Sequence, residues 1–190
     1  MGCSLVDGPF GSSLKPERYT ASGVHVIRNC NIVDDDFDST SFKYVSREAF
    51  DELQRSDVEV DDVLITIKGT VGDVCLMPRL GGPALLSATG TCRLRLASNC
   101  GLEPEFVSSQ MTTPTYKAYI KSFMAGSAQP YVNLSGVRKM ELIRPPLDFQ
   151  RQFISRKMAI RAARQRQREA LAESERLFAS LQHRAFRGQL

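Results

Sequence analysis

FQRQFISRKMAIRAARQRQREALAESERLFASLQHRAFR, residues 149–187, contains neither Pro nor Gly, and the next Gly is Gly188. Ala, Arg, Gln, Glu and Leu dominate, all good helix formers. The stretch predicts one helix of roughly 38 residues, about 57 Å long at 1.5 Å per residue. Its apolar positions bunch at the two ends. Phe153, Ile154, Met158 and Ile160 hold one end, and Leu171, Leu177, Phe178, Leu181 and Phe186 hold the other. Between them Arg161 to Glu169 is nearly all polar. A helix of that length should project from a small domain, and its apolar stripes then call for a partner chain.

Working back toward the N-terminus, the texture changes at the prolines Pro145 and Pro146. Residues 1–149 read as short strands separated by turns. Gly23 to Arg28 is a β-branched run opened by Gly, and Phe42 to Val45 is a second candidate. Ser46 to Leu53 reads as a helix with Ser46 as N-cap and Ala49, Phe50 and Leu53 on one face. Asp61 to Ile67 is a strand, ended by Lys68-Gly69-Thr70-Val71-Gly72. Val74 to Met77 returns as its hairpin partner. Cys92-Arg93-Leu94-Arg95-Leu96 alternates apolar and basic residues, as a half-buried strand does. Pro104 to Met124 reads as helical, with Pro114 breaking or starting a helix. Gly126 to Pro130 is a loop. The expectation is a mixed α+β body over 1–148 and a long helix over 149–190.

The 190 residues suffice for one domain and an appendage, with a core that needs no staples. Net charge is +4, but it is unevenly spread. Residues 1–149 hold 15 Lys and Arg against 18 Asp and Glu, net −3, and residues 150–190 hold 10 against 3, net +7. The longest apolar runs, such as Val63-Leu64-Ile65, are far too short for a membrane span. The N-terminus lacks the basic and apolar regions of a signal peptide, and Val6 stands where a myristoylation signal needs Ser or Thr. A cytoplasmic location is expected. Five cysteines, an odd number without Cys-x-x-Cys, argue against a zinc ribbon or a disulfide framework. They are expected to be buried or half-buried thiols.

Catalytic signatures are thin. His25 and His183 have no Cys, His or Glu at metal-ligand spacing, and His25 reads as a strand residue. Asp34-Asp35-Asp36 with Asp38 lacks the order of a calcium loop and reads as a solvated acidic turn. Asp61-Asp62 before a strand ending in Lys68 suggests a nuclease core, but Thr66 stands where the second acid should be. Gly69-Thr-Val-Gly72 is a lone Gly-x-x-Gly, explained equally by a tight hairpin. Neither a Gly-x-Ser-x-Gly nor a Walker motif occurs. Arg161, Arg164 and Arg168 share one helix face, suited either to phosphates or to solvent.

Several segments taken together resemble the DNA-specificity subunit of type I restriction-modification systems. They are Asp7 to Leu14, Tyr19 with Gly23 to Asn29, and Asp62 to Thr66 with Gly69 to Gly72. They continue with Gly126 to Pro130, Asn133-Leu134, Pro145 to Leu147 with Gln150, and the end Ala185 to Leu190. Each is weak alone; their order across nearly the whole chain carries the resemblance. Family members usually hold two target-recognition domains and two long helices. This chain holds one of each, as a half-subunit that is naturally short, truncated or excised.

The resemblance implies a non-catalytic subunit with no metal and no cofactor of its own. Its target domain would read one half of a split site in double-stranded DNA. The helix would form a coiled coil through Phe153, Ile154, Met158, Leu171, Leu177, Phe178 and Leu181, in a homodimer or with a second half-subunit. It would also dock methyltransferase subunits, which use S-adenosylmethionine, and restriction subunits. The DNA-contacting candidates lie in polar loops: Ser12, Ser13, Lys15, Arg28, Lys68, Thr70, Gln129 and Tyr131. Lys and Arg meet phosphates or guanine edges, and Gln pairs with adenine. Turn-capping explains Ser12, Ser13 and Thr70 equally well. The alternative reading is a coiled-coil adaptor with a degenerate target domain.

Overall fold

The computed structural model describes residues 3–9, 11–88, 90–125 and 130–188. Two compact units divide the chain, Met1–Leu147 and Asp148–Leu190.

The first unit is built on two sheets. One is antiparallel throughout, in the order β1 (Ser4–Asp7), β11 (Thr91–Arg95), β8 (Val63–Thr66), β9 (Val74–Leu76). The other runs β2 (Tyr19–Thr20), β6 (Lys43–Val45), β3 (Val24–Ile27), β10 (Ala84–Leu86), β7 (Asp57–Val58). In it β3 and β10 pair in parallel and the other neighbours are antiparallel. A small hairpin joins β4 (Ile32–Val33) to β5 (Asp36–Phe37). Its linking residues, Asp34 at φ 51° and Asp35 at φ 61°, are both left-handed, as a two-residue hairpin turn demands.

Alternation along the strands sorts the core into layers. On β8, Val63 and Ile65 pack with Val107, Met111 and Ile120 of helices α2 (Pro104–Met111) and α3 (Pro114–Ser122), and with Val137 of α4 (Leu134–Arg138). Leu64, on the opposite face of β8, packs with Ile27, Ala84 and Leu86 of the second sheet. Leu85, Val24 and Val26 turn to the far face, where α1 (Arg47–Glu52) contributes Ala49 and Phe50. The order is therefore helices, sheet, sheet, helix. A strand buried on both faces reads as a continuous apolar run, which Val63-Leu64-Ile65 is.

Local signals hold where they were read. Ser46 caps α1, its side chain accepting from the Ala49 N–H, and Thr113 caps α3 in the same way from Tyr116. Pro114 starts α3 rather than breaking a longer helix. His25 sits in β3 with its ring edge-on to Phe42, the centroids 4.8 Å apart.

Three expectations need correction. The basic positions of β11 do not face solvent: Arg93 is 5% exposed and Arg95 half-buried, both drawn into an ion cluster described below. The acidic turn is not merely solvated. Asp35 lies 2.6 Å from Lys117 Nζ, and its carboxylate accepts from the Val74 N–H, tying the β4–β5 hairpin to α3 and β9. Of the five free thiols, Cys75 and Cys92 are buried and Cys100 half-buried, but Cys3 and Cys30 are exposed.

Helix α5 (Leu147–Phe186) spans 40 residues, about 60 Å. It begins two residues before the expected start, because Pro145 and Pro146 end just where the first helical turn can open. The chain then reaches Gly188 at φ 66°, a left-handed residue suited to a helix end. Among the described residues, no helix is long and apolar enough to cross a membrane.

Candidate nucleic-acid interface

The loop between β8 and β9 is shaped by Thr66. Its hydroxyl donates to the Thr70 carbonyl and accepts from the Asp73 N–H at 2.9 Å. The Gly72 N–H donates back to the Thr66 carbonyl at 3.0 Å. Gly69 takes φ 79°, a conformation side chains disfavour. The position where a nuclease would need its second acid thus holds a hydroxyl that closes a turn.

Residues 130–132 run alongside this loop. The Gly69 N–H donates to the Pro130 carbonyl at 3.3 Å, and the Val132 N–H to the Ile67 carbonyl at 2.8 Å. Lys68 and Tyr131 are bridge partners between them. Tyr131 also exchanges two backbone hydrogen bonds with Ala125. A cleft of about 330 Å³ opens at this junction, with Lys68, Tyr131, Asp7, Gly8, Gly90 and Thr91 among its walls. Gly8 must be Gly: a Cβ there would lie 1.6 Å from the Ser87 carbonyl oxygen.

Asn29 supports the cleft from beneath. Its side-chain amide donates to the Lys68 carbonyl at 3.5 Å, and Cβ atoms built on Gly69 or Gly90 would sit 3.3 and 3.4 Å from the same nitrogen. Among the described residues, no carboxylate pairs with Lys68. Asp7, on the same wall, is engaged by Arg55 at 3.3 Å. A half-buried lysine beside an exposed tyrosine therefore offers a cation and a phenol at one mouth.

The other site candidates are dispersed. Thr70 is exposed in the same loop, its carbonyl held by Thr66. Ser12 and Lys15 are exposed, and the Ser13 carbonyl accepts from Arg18 at 2.9 Å. None of these three lines the cleft. Arg28 reaches the carbonyl and hydroxyl of Ser41, both at 3.3 Å, and so braces a neighbouring loop. Gln129 lies outside the described residues. Asn29 and Gly90 were missed as site residues. Asn29 stood at the end of a quoted motif, the signal that could have found it.

A buried polar cluster lies elsewhere. Asp62 accepts two hydrogen bonds from Arg95, each 2.8 Å, and a third from the Glu59 N–H. Arg93 reaches Asp57 of the other sheet at 2.9 Å, and Arg95 bridges to it at 3.2 Å. Arg95 is held more firmly protonated than usual, chiefly by its hydrogen bonds to Asp62, against the opposing effect of burial. This cluster ties the sheets together and offers no open face for chemistry. Among the described residues, no group of three or more His, Cys, Asp or Glu side chains could hold a metal ion.

On α5, Phe153, Met158, Leu171, Leu177, Phe178 and Leu181 are all exposed, and Ile154 is half-buried.

A mixed two-sheet body followed by one long C-terminal helix is the fold found in type I restriction-modification systems. The chain superposes with a TM-score of 0.68 on a chain from a structure of complex assembly and conformational transition of the type I R-M system. Identity there is 19%, covering 99% of this chain and 44% of that one. The HsdS subunit from Thermoanaerobacter tengcongensis gives a TM-score of 0.51 at 17% identity, covering 100% and 44%. In sequence, the chain is similar to the type I restriction enzyme EcoBI specificity subunit of Escherichia coli. The match is 23% identical over 182 residues, 93% of this chain and 38% of that protein. No protein-family model matches. The resemblance read from the motifs is borne out, and the chain spans less than half the length of these relatives.

Proposed function

We propose that the body binds duplex DNA through the surface around Lys68 and Tyr131 and reads one half of a split target. The observation that carries this reading is the meeting of Ile67 and Lys68 with Tyr131 and Val132 at one cleft, where a cation that pairs with no carboxylate among the described residues stands beside an exposed phenol. Lys68 supplies phosphate or guanine contact, and Tyr131 a hydroxyl and a flat face. Thr70 adds a hydroxyl beside them. Gln129, which lies outside the described residues, is assigned to adenine. Lys15 and the serines extend the contact along a separate loop.

Helix α5 pairs with the helix of a second copy and docks methyltransferase subunits, and through them restriction subunits. S-adenosylmethionine and the methyl transfer belong to those partners, and this chain contributes no catalytic group. Support comes from the exposed apolar residues near both ends of α5 and from the similarity to a specificity subunit. A twofold pair presents one reading surface twice, in opposite orientation, so its target is a gapped palindrome. Co-expression with type I methyltransferase subunits, followed by mapping of methylated adenines, tests this. A gapped modified sequence is expected. A continuous one would sink the two-reader reading, and a gapped asymmetric one would replace the homodimer with a mixed pair.

A further inference from the structure

The register of β1 on β11 brings two cysteines to one place. Ser4 stands opposite Arg95 and Leu5 opposite Leu94, so one further step sets Cys3 level with Leu96. The chain then turns back, the Cys100 N–H donating to the Ala97 carbonyl at 2.9 Å. The Cys3 side chain lies within electrostatic reach of the Cys100 thiol, whose Sγ donates to the Leu102 carbonyl at 3.8 Å. Cys3 is exposed and Cys100 half-buried, so a small solute reaches the first and the second waits behind it.

The other cysteines are placed differently. Cys75 and Cys92 are buried in the core, and burial raises both thiols well above the ordinary value. Cys30 is exposed, but in a 3₁₀ turn that follows β3 in the other sheet.

We propose that Cys3 and Cys100 form a redox modification site that closes to a disulfide on meeting a hydroperoxide. Cys3, as thiolate, attacks the terminal peroxide oxygen and becomes a sulfenic acid, releasing water or an alcohol. The Cys100 sulfur then displaces the hydroxyl, which leaves as a second water, and the S–S bond forms. Two thiols are oxidised by two electrons and one peroxide is reduced. The product staples β1, an edge strand with a single neighbour, to the turn beyond that neighbour. This strand runs on into Asp7 and Gly8 of the cleft wall. The inference is independent of whether the cleft binds DNA.

The test uses the full chain, reduced and then exposed to hydrogen peroxide in modest excess. Peptide mapping after alkylation should find a Cys3–Cys100 cross-link within one chain. Tm should rise by about 5 °C or more, since the bond closes a long loop, and dithiothreitol should reverse the change. Cys3→Ser or Cys100→Ser should each remove both effects, and Cys30→Ser should remove neither. Peroxide that leaves both thiols reduced would overturn the proposal. So would conversion of Cys3 to a sulfinic acid beside a free Cys100, or a Cys3 bridge between two chains.

Discussion

On β8, Val63, Leu64 and Ile65 have no exposed surface, whereas on α5 Leu177 and Phe178 are 58% and 62% exposed. The body buries its apolar strands between its own layers. The helix offers comparable side chains and encloses none of the large ones. One region thus carries its own buried core, and the other is expected to gain most of its stability from what it meets. Polar groups follow the same division. Arg93 and Arg95 are locked to Asp57 and Asp62, while Arg176 of α5 reaches the exposed Glu173 and the Ala172 carbonyl, both within its own helix.

The largest effect should come from breaking the body's ion cluster. Asp62→Ala leaves Arg95 and Arg93 without their buried acceptor and frees the Glu59 N–H. Removing one partner of a buried pair costs about 3–5 kcal/mol. Urea unfolding followed by a probe in the body should show a loss of that order, with Asp62→Asn losing less. A loss under about 1 kcal/mol would place the cluster with ordinary surface pairs.

Next in size is the helix. Leu177→Asp and Leu181→Asp should weaken self-association by about 1.5–3 kcal/mol each, the worth of a buried Leu. Sedimentation at tens of micromolar measures it, and the body's unfolding midpoint should stay put. A wild-type chain that sediments only as a monomer would end the homodimer reading and leave α5 waiting for a different helix.

Alkaline pH should act on the body alone. Burial pushes the Cys75 thiol up to about 12, with Asp36, Asp35 and Asp73 adding to the shift. An unfolded thiol ionises near about 8.5. Between these values the unfolded chain sheds a proton that the folded chain keeps. The stabilisation is therefore complete below about pH 8.5 and drains away as pH rises toward 12. Comparing urea midpoints at pH 8 and pH 10, Cys75→Ala should lose less than the parent. An equal loss would mean that the thiol is not held neutral by its surroundings.

Legibility in the sequence followed distance along the chain. Ser46 and the β8–β9 hairpin were readable because cap, apolar face and turn lie within a few residues of one another. The parallel pairing of β3 with β10 was not, since nothing local specifies which distant strand completes a sheet. Arg93 and Arg95 misled for a definite reason. Alternation of apolar and basic residues is the same whether the basic face meets water or buried acids, and Asp57 and Asp62 lie far off in sequence. The cleft was half-legible. Lys68 and Tyr131 stood in polar loops, but only the pairing of 130–132 with 67–69 sets them side by side. Asn29 acts through a side chain placed under two glycines, which no pattern of its own neighbours could announce.

The smallest effect is expected where the two regions compete for DNA. Both carry cations: Lys68 at the cleft, and Arg161, Arg164 and Arg168 along α5. Counterion release makes the affinity of each phosphate contact depend on salt, so log Kd against log salt loses about one unit of slope per contact removed. Lys68→Ala should lower the slope by about one unit and weaken binding only a few-fold at moderate salt. Folding should be untouched, because the lysine's backbone, not its ammonium, carries the pairing to Tyr131 and Asn29. Lys15→Ala should act in the same direction. Replacing the three arginines together should change the slope less than the body lysines do, if α5 is a spacer and the body the reader. The reverse pattern, with Lys68→Ala silent and the triple variant no longer binding, would move the DNA surface from the cleft to the helix. Tyr131→Phe separates the remaining contributions at that mouth. It keeps the flat face and removes the hydroxyl, so an unchanged affinity assigns Tyr131 to packing and stacking rather than to a hydrogen bond.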